Sequence, residues 1–260
     1  MALTKRLRSW QLARRIGFEA LVVVGAYLAY QAVRRLIEGS AATAFDRALD
    51  VIALERRLGL FWEAPLQGAI LQHHWLVSLF NWIYVWGYLP VIAAAALWLF
   101  VWHRQRYSRY RNAFLLSGAC GLLFFALMPV APPRMFPHLG FVDTVRLHSE
   151  VYRTFERPGF VNEFAAVPSF HFGWILLVGV ALWAHGRWMP VRLAGVALPV
   201  AMLAAIVLTA NHYFLDAAVG GALTLGALAV VVWVERLDPL SRLRRTALPL
   251  RVTTRPEPQR

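Results

Sequence analysis

The sequence predicts an all-α protein, a polytopic six-helix transmembrane bundle with an amphipathic interfacial helix after the first span. Composition is the first reason, because 59% of the 260 residues are hydrophobic and only 16% are charged, against about 25% charged in an ordinary soluble domain. The mean hydropathy of +0.51 is well above zero. Apolar runs close to the length of about 20 residues that crosses a bilayer as a helix recur along the chain.

Six segments approach that length. They are residues 16–36, 77–101, 112–130, 170–186, 191–209 and 215–235. The first segment contains Glu19, and we expect Pro90 to kink the second. Between these two, Phe45, Leu49 and Ile52 recur at helical spacing among charged residues. This pattern predicts an amphipathic helix that lies at the membrane surface.

The predicted elements divide the chain into four regions. Residues 1–40 form a basic N-terminal segment with the first span, and residues 41–76 form the amphipathic and interfacial region. Residues 77–236 form the transmembrane bundle that carries the polar motifs described below, and residues 237–260 form a basic tail that we expect to be disordered. The N-terminus begins like a signal sequence but lacks a small-residue cleavage site, which indicates an uncleaved first helix.

The charge distribution predicts how the chain lies in the membrane. Its net charge of +13 is typical of nucleic-acid-binding proteins, but the arginines lie between apolar runs and in the tails. Arginines at such positions set membrane topology, and we therefore expect no nucleic-acid partner. The positive-inside rule places both termini in the cytoplasm, for a protein of the plasma (inner) membrane. Residues 131–168 and 210–214 then face the extracytoplasmic side.

A histidine and an aspartate stand four residues apart at the start of the sixth predicted span. His212 and Asp216 would share one face of a helix that begins near Asn211, since residues i and i+4 lie one turn apart. The carboxylate could accept the proton of one ring nitrogen and leave a lone pair on the other, which would make His212 a nucleophile or base. The alternative is a polar pair that only satisfies its own hydrogen bonds.

A serine and a histidine stand at the start of the fourth predicted span, in the sequence Pro168-Ser169-Phe170-His171. Ser169 is a favourable N-cap residue, and the N-terminus of a helix attracts anions such as phosphate. His171 could donate a proton to a leaving oxygen. The alternative is an ordinary capped helix with a histidine at the membrane surface.

An arginine follows two prolines at the outer end of the third predicted span. The planar guanidinium of Arg134 suits two phosphate oxygens at once. The alternative is an arginine that meets lipid headgroups. Arg146, Arg153 and Arg157 in the same outer loop are further candidates. Two predicted spans separate His171 from His212, so the motifs lie on one face of the membrane.

Together these motifs resemble those of a known family. Pro168-Ser169-x-His171 and His212-x-x-x-Asp216 are similar to the second and third signature motifs of the type 2 phosphatidic acid phosphatase superfamily, whose six-span layout is similar too. The stretches "PPRM", "AAVPSFH" and "NHYFLDAAVGG" resemble, more narrowly, bacterial relatives of the fungal inositol phosphorylceramide synthase, an inositol-phosphotransferase branch.

The resemblance implies a role for each motif. His212 would attack phosphorus and form a phosphohistidine, oriented by Asp216, while His171 would protonate the leaving oxygen and then activate the acceptor. Arg134 would correspond to the arginine of the first motif, and Ser169 would help to hold the phosphate oxygens. The implied substrate is a lipid phosphate or phospholipid, and the acceptor is water, a polyol or a lipid alcohol. The resemblance implies no metal and no other cofactor.

Two positions depart from the family pattern within the resemblance, which extends over about residues 45–235. The first motif usually carries a lysine before its arginine, and Lys5 is the only lysine of this chain. The third motif usually carries an arginine six residues before its histidine, where this chain has Ile206. A less cationic pocket fits the phosphotransferase branch better than the phosphatases.

Two readings outside this mechanism stay open. Two imidazoles and a carboxylate could bind zinc or iron in a metal-dependent membrane hydrolase, although no HExxH spacing supports such a site. A non-catalytic lipid-binding or transport protein could also keep an anion site without turnover.

Overall fold

The computed structural model describes residues 14, 16–26, 28–30, 32–33, 40–148 and 163–237. The predicted basic tail, 237–260, lies outside these residues except for Leu237. Arg153 and Arg157 of the outer loop also lie outside them.

In the part of the chain that the structure describes, ten α-helices follow one another. They are α1 (Ile16–Tyr30), α2 (Ala41–Leu58), α3 (Glu63–Leu71), α4 (His74–Trp86), α5 (Leu89–Trp102), α6 (Arg104–Leu127), α7 (Thr144–His148), α8 (Phe170–His185), α9 (Met189–Leu208) and α10 (Phe214–Leu237). Two short 3-10 helices, Pro133–Met135 and Pro137–Leu139, lie between α6 and α7. The prediction of an all-α fold is confirmed for the described residues.

The long helices α6, α9 and α10 are each apolar and long enough to cross a membrane. The pair α4 and α5 passes the same test together, although the two helices are bent by 47°. The apolar helices α1 and α8 are shorter. Length and composition of the described helices therefore support three spans, or four if the bent pair is one span, and the count of six stays a prediction.

The bend lies in the second predicted span, where we expected the kink. Helix α4 ends at Trp86, and Pro90 occupies the first turn of α5. Proline is tolerated there because the first turn of a helix has no partner for its N–H. The chain thus breaks at Gly87 and Tyr88 rather than bending within one continuous helix.

Helix α2 is present, and Ile52 is buried on it as predicted, but Leu49 is not, and Phe45 is only partly buried. Ala44, Ala48, Ile52 and Glu55 are buried, whereas Leu49 is exposed. The small alanines let the helix approach the outer loop so closely that the backbone N–H of Ala131 donates to the carbonyl of Ala44 at 3.0 Å. The prediction relied on the spacing of large apolar side chains, so it did not identify a contact that small alanines make.

Glycines bring the first turns of α8 and α10 together. A Cβ atom on Gly220 would collide with the backbone of Ser169, and one on Gly173 would lie 2.5 Å from the carbonyl oxygen of Gly220. Because these Cβ atoms are absent, the two backbones nearly touch. This contact brings the segment with Ser169 and His171 beside the one with Asp216.

Ion pairs join the other ends of the helices. Arg111 of α6 pairs with Glu19 of α1, and Arg109 of α6 pairs with Glu235 of α10, both at 2.5 Å. The single acidic residue of the first apolar segment is thus paired with a basic residue near the start of α6. A paired charge is far less costly at membrane depth than an isolated one.

Candidate active site

His212 lies in the short segment between α9 and α10. The backbone N–H groups of Asn211 and His212 both donate to the carbonyl of Ile206, at 3.0 and 3.1 Å, and end helix α9. Helix α10 consequently begins at Phe214, not near Asn211 as the spacing predicted. His212 therefore precedes the helix, with its side chain held by the loop.

The backbone just before this segment is strained. Ala210 has a φ of +53°, in the left-handed region that non-glycine residues rarely adopt. The backbone N–H of Arg134 donates to its carbonyl at 2.8 Å and holds the conformation from the outer loop. Strain of this kind, about 1–3 kcal/mol, occurs preferentially at functional sites.

Two oxygen atoms surround one nitrogen of the His212 ring. Nδ1 lies 2.9 Å from the carbonyl oxygen of Ala166 and 3.3 Å from Oδ2 of Asp216. A carbonyl oxygen can only accept, so Nδ1 carries the proton. Nε2 is left with its lone pair. The sequence predicted the Asp216 contact, whereas the closer one, to a backbone carbonyl, has no signature in side-chain patterns.

Asp216 is fully buried and serves two groups at once. Its Oδ2 atom also accepts the backbone N–H of Tyr213 at 2.9 Å, which caps the first turn of α10. Its Oδ1 atom has no hydrogen-bond partner among the described residues. The carboxylate thus links the orientation of the His212 ring to the start of the helix.

His171 lies in the first turn of α8, and two tyrosines hold its ring. The ring stacks on Tyr84 at a centroid distance of 4.4 Å and an interplanar angle of 19°. The ring centroid of Tyr88, at the break between α4 and α5, lies 4.1 Å from that of His171. The ring centroids of His171 and His212 are 5.7 Å apart. The fold therefore brings the two histidines, which are 41 positions apart in the sequence, next to each other.

Ser169 occupies the N-cap position of α8, but its hydroxyl does not cap the helix. The residue has extended backbone angles, and its N–H donates to the carbonyl of Asp216 at 3.0 Å. Its Oγ atom is buried and has no hydrogen-bond partner in the described part of the chain. A buried hydroxyl without a partner is free to donate to an oxyanion.

The guanidinium of Arg134 is tied to the histidine segment. Its Nη1 atom donates to Oδ1 of Asn211 at 2.7 Å, and its Nε atom lies 3.4 Å from Oδ2 of Asp143. Neither partner was predicted. Among the described residues, Nη2 has no hydrogen-bond partner, so this edge of the fork is available to a phosphate oxygen.

A cavity of about 450 Å³ opens beside Arg134. It is lined by Phe45, Arg134, Met135, Asp143, Arg146, Leu147 and Glu163. Two arginines and two carboxylates thus share its wall, including one of the loop arginines that the sequence singled out. A wall of mixed charge offers both donors and acceptors to a hydroxylated ligand.

The position of the missing arginine is apolar in three dimensions as well. Ile206 is fully buried and packs in a hydrophobic cluster with Tyr84, Val145 and Met202. Its side chain therefore serves the core.

Tyr213, between His212 and α10, is fully buried and donates its hydroxyl to the carbonyl of Ala131 at 3.3 Å. Burial raises its pKa, and the negative charges of Asp216, Glu55 and Glu63 act in the same direction. The phenol therefore stays neutral and braces the histidine segment against the outer loop.

No group of three or more His, Cys, Asp and Glu side chains is arranged to hold a metal ion within the described ranges. Comparison with curated proteins and with solved structures gave no match. Comparison with family models gave one: the model of the PAP2 superfamily matches residues 49–230, well over half of the chain. The match spans α3 to α9 and the larger parts of α2 and α10, and it includes all five residues of the site. The chain belongs to the PAP2 superfamily.

Proposed function

We propose that the chain is an integral membrane enzyme that transfers the phosphoryl group of a lipid phosphate, or of a phospholipid headgroup, through a phosphohistidine at His212. Membership of the PAP2 superfamily indicates a phosphatase or phosphotransferase. The substrate, the intermediate and the residue roles are the proposed parts. The reaction needs no metal and no other cofactor, since each chemical role falls to a side chain of the site.

One observation carries the mechanism. Nδ1 of His212 is within hydrogen-bonding distance of two acceptors, the Ala166 carbonyl and Asp216. This arrangement fixes the tautomer whose Nε2 atom has a free lone pair, and Asp216 stabilises the positive charge that grows on the ring during attack.

The first step forms the phosphohistidine. Nε2 of His212 attacks phosphorus, and the bond between phosphorus and the lipid oxygen breaks. The leaving oxygen takes a proton from His171, which the negative charge of the bound phosphate would keep protonated, and whose ring lies beside that of His212. Arg134 and the Ser169 hydroxyl neutralise and hold the equatorial phosphate oxygens, which carry the charge in phosphoryl transfer.

The second step releases the phosphoryl group to an acceptor. His171, now neutral, takes the proton of the acceptor hydroxyl, and the acceptor oxygen attacks phosphorus. The bond between phosphorus and Nε2 breaks and returns its electron pair to the His212 ring. Water as acceptor gives hydrolysis, and an alcohol gives transfer.

Transfer to a polyol or lipid alcohol is the version we favour, as in the inositol-phosphotransferase branch that the motifs resemble. Ile206 supplies no cation to the phosphate pocket, and Asp143 already engages Arg134. Both features weaken the hold on free phosphate. The cavity beside Arg134 carries carboxylates that can accept the hydroxyl hydrogens of a polyol.

The proposed setting is the plasma (inner) membrane, with six spans and both termini in the cytoplasm. Helices α1 and α8 would supply the two spans beyond α6, α9, α10 and the bent pair, and α2 would lie along the surface. The site then opens on the extracytoplasmic face, where it meets membrane lipids as substrates. Cysteine accessibility in sealed vesicles tests this orientation, after Cys120 is replaced and single cysteines are placed at the exposed Trp188 and His138 positions.

The function is tested with detergent-purified protein beside its His212→Ala variant. Both are supplied with a panel of lipid phosphates and phospholipids, with and without inositol or other polyols, and free phosphate and new phospholipid are measured together. New phospholipid that requires the acceptor and is lost in the variant supports transfer. Free phosphate alone supports hydrolysis, and equal rates in the two proteins contradict the role of His212.

A further inference from the structure

Three acidic side chains bind the first turn of α10. The backbone N–H groups of Tyr213, Phe214 and Leu215 are consecutive, and they donate to Asp216 at 2.9 Å, Glu63 at 3.0 Å and Glu55 at 2.8 Å. These N–H groups have no partner within the helix itself. Two of the three acceptors come from α2 and α3, about 150 residues earlier in the chain.

The two distant glutamates are fully buried and face each other. Each uses its Oε1 atom for a backbone N–H of α10, and each Oε2 atom has no donor among the described residues. Because their Oε1 atoms accept from consecutive backbone N–H groups of α10, the two carboxyl groups lie beside each other, and Glu63 acts on Glu55 as a hydrogen-bond partner. Ionised carboxylates only accept hydrogen bonds, so a bond between them requires a proton on one.

The surroundings favour that proton. Among the described residues, no cation forms an ion pair with Glu55 or Glu63. Two adjacent buried carboxylates that are both ionised and have no cation beside them are strongly disfavoured. One proton leaves the pair with a single negative charge. That charge suits the positive end of the α10 dipole.

We propose that Glu55 and Glu63 share one proton and act as positioning residues that hold the start of α10, and with it His212 and Asp216, in the reactive arrangement. The inference rests on the proposed function, because it assigns the two glutamates to the same reaction. It also gives α2 and α3 a part in the active site beyond contact with the membrane surface.

Glu55 should titrate well above an ordinary carboxyl group. Burial and the bond to Glu63 raise the pKa of Glu55 to about 9, although the N–H of Leu215 acts in the opposite direction. The other groups that face Glu55 are Asp216 on α10 and the Tyr213 phenol between α9 and α10. Loss of the shared proton would place two adjacent carboxylates against this end of α10 and loosen its anchor.

Replacement of either glutamate by glutamine tests the proposal. The amide of Glu55→Gln keeps an oxygen for the N–H of Leu215 and offers a permanent N–H to Glu63. Both single variants should keep the neutral-pH kcat. Wild-type kcat should fall about tenfold per pH unit above the pKa of Glu55, whereas the variants should keep most of their rate. Glu55→Ala, which removes the bond, should lose kcat at neutral pH with little change in KM.

Infrared spectroscopy provides a readout that does not depend on turnover. A protonated carboxyl group has a carbonyl stretch that an ionised carboxylate lacks, and this band should vanish from the wild-type spectrum at high pH and be absent from both glutamine variants. If neither substitution alters this band, the proposal that Glu55 and Glu63 share a proton is wrong.

The infrared band could behave as expected while kcat falls at alkaline pH equally in the wild type and in both variants. That result would contradict the positioning role. If His212→Ala remains active, the proposed function fails while the infrared result on the pair still stands. Circular dichroism and gel filtration confirm that the glutamine variants are folded, so the test does not depend on Glu55→Ala.

Discussion

The rings of His171 and His212 face each other at a centroid distance of 5.7 Å, although one begins α8 and the other precedes α10. This separation places the two rings on either side of the position that the phosphate would occupy in the proposed mechanism. It also means that each histidine can be tested separately, because loss of one ring leaves the supports of the other in place.

Substitution of the two histidines should separate bond formation from proton transfer. His212→Ala should abolish acid-labile labelling of the protein by a lipid substrate with radioactive phosphate, because Nε2 is the proposed attacking atom. His171→Ala should slow turnover by about 10²–10⁴-fold, the usual worth of a general acid and base. Labelling that persists in His212→Ala would contradict the phosphohistidine.

Removal of the Asp216 carboxylate should cost less than removal of His212. The Ala166 carbonyl still holds Nδ1 in the variant, so the tautomer survives, while the hydrogen bonds of Asp216 to Nδ1 and to the backbone N–H of Tyr213 are lost. Such bonds are worth about 1.5–3 kcal/mol, which corresponds to a fall in kcat of roughly 10–100-fold for Asp216→Ala. Steady-state kinetics check this, and a loss as large as that of His212→Ala would mean that the carbonyl does not hold the ring.

The tyrosines around His171 should act through their rings. Tyr84→Phe preserves the stacked ring and should leave kcat within about twofold, whereas Tyr84→Leu should lower it by roughly 2–10-fold, the worth of one aromatic contact. The same pair of substitutions at Tyr88 provides an independent comparison. Equal rates for the phenylalanine and leucine variants would argue that stacking does not orient the imidazole.

Two glycines of α10 offer a matched test of the helix contact. Gly220→Ala puts a Cβ atom into the backbone of Ser169, while Gly226→Ala meets nothing within 4 Å. The first should destabilise the protein by about 1–3 kcal/mol and lower kcat, and the second should be neutral or slightly stabilising because alanine favours the helix. Thermal unfolding in detergent measures both, and similar shifts in Tm would contradict the close contact.

The raised pKa of Glu55 predicts how stability depends on pH. Between its ordinary pKa of 4.5 and the raised pKa of about 9, Glu55 keeps a proton in the folded protein that the unfolded chain releases. The free energy of unfolding should therefore fall by about 1.4 kcal/mol per pH unit in this window for that one proton. The slope of Tm against pH should be shallower in Glu55→Gln, and identical slopes would show that Glu55 does not titrate there.

Sequence patterns predicted the parts of this protein that depend on local chemistry. The helical class follows from apolar runs, and the positions of His171, His212 and Asp216 follow from short motifs next to those runs. The partners of these residues could not be predicted in the same way. The Ala166 carbonyl belongs to the backbone, and Tyr84 and Tyr88 look like ordinary aromatic residues of an apolar segment.

The buried glutamates of α2 and α3 could not be predicted from the sequence either. Glu55 and Glu63 lie among charged residues of a segment that patterning assigns to the membrane surface, and only the folded chain brings them to α10. The start of α10 was placed too early for a related reason. The two N–H groups that close α9 on Ile206 depend on backbone geometry that any side chain at those positions would allow.

The contact between Gly173 and Gly220 has a consequence for the energetics of turnover. Since the two backbones already touch, the start of α8, which carries His171, and the start of α10, which follows His212, cannot approach further when a substrate binds, and they separate only if the core opens. The reacting groups are thus preorganised, and little of the binding energy is spent on rearranging them. The affinity for the phosphate should then depend on the contacts that the pocket makes with it, with almost no contribution from helix motion.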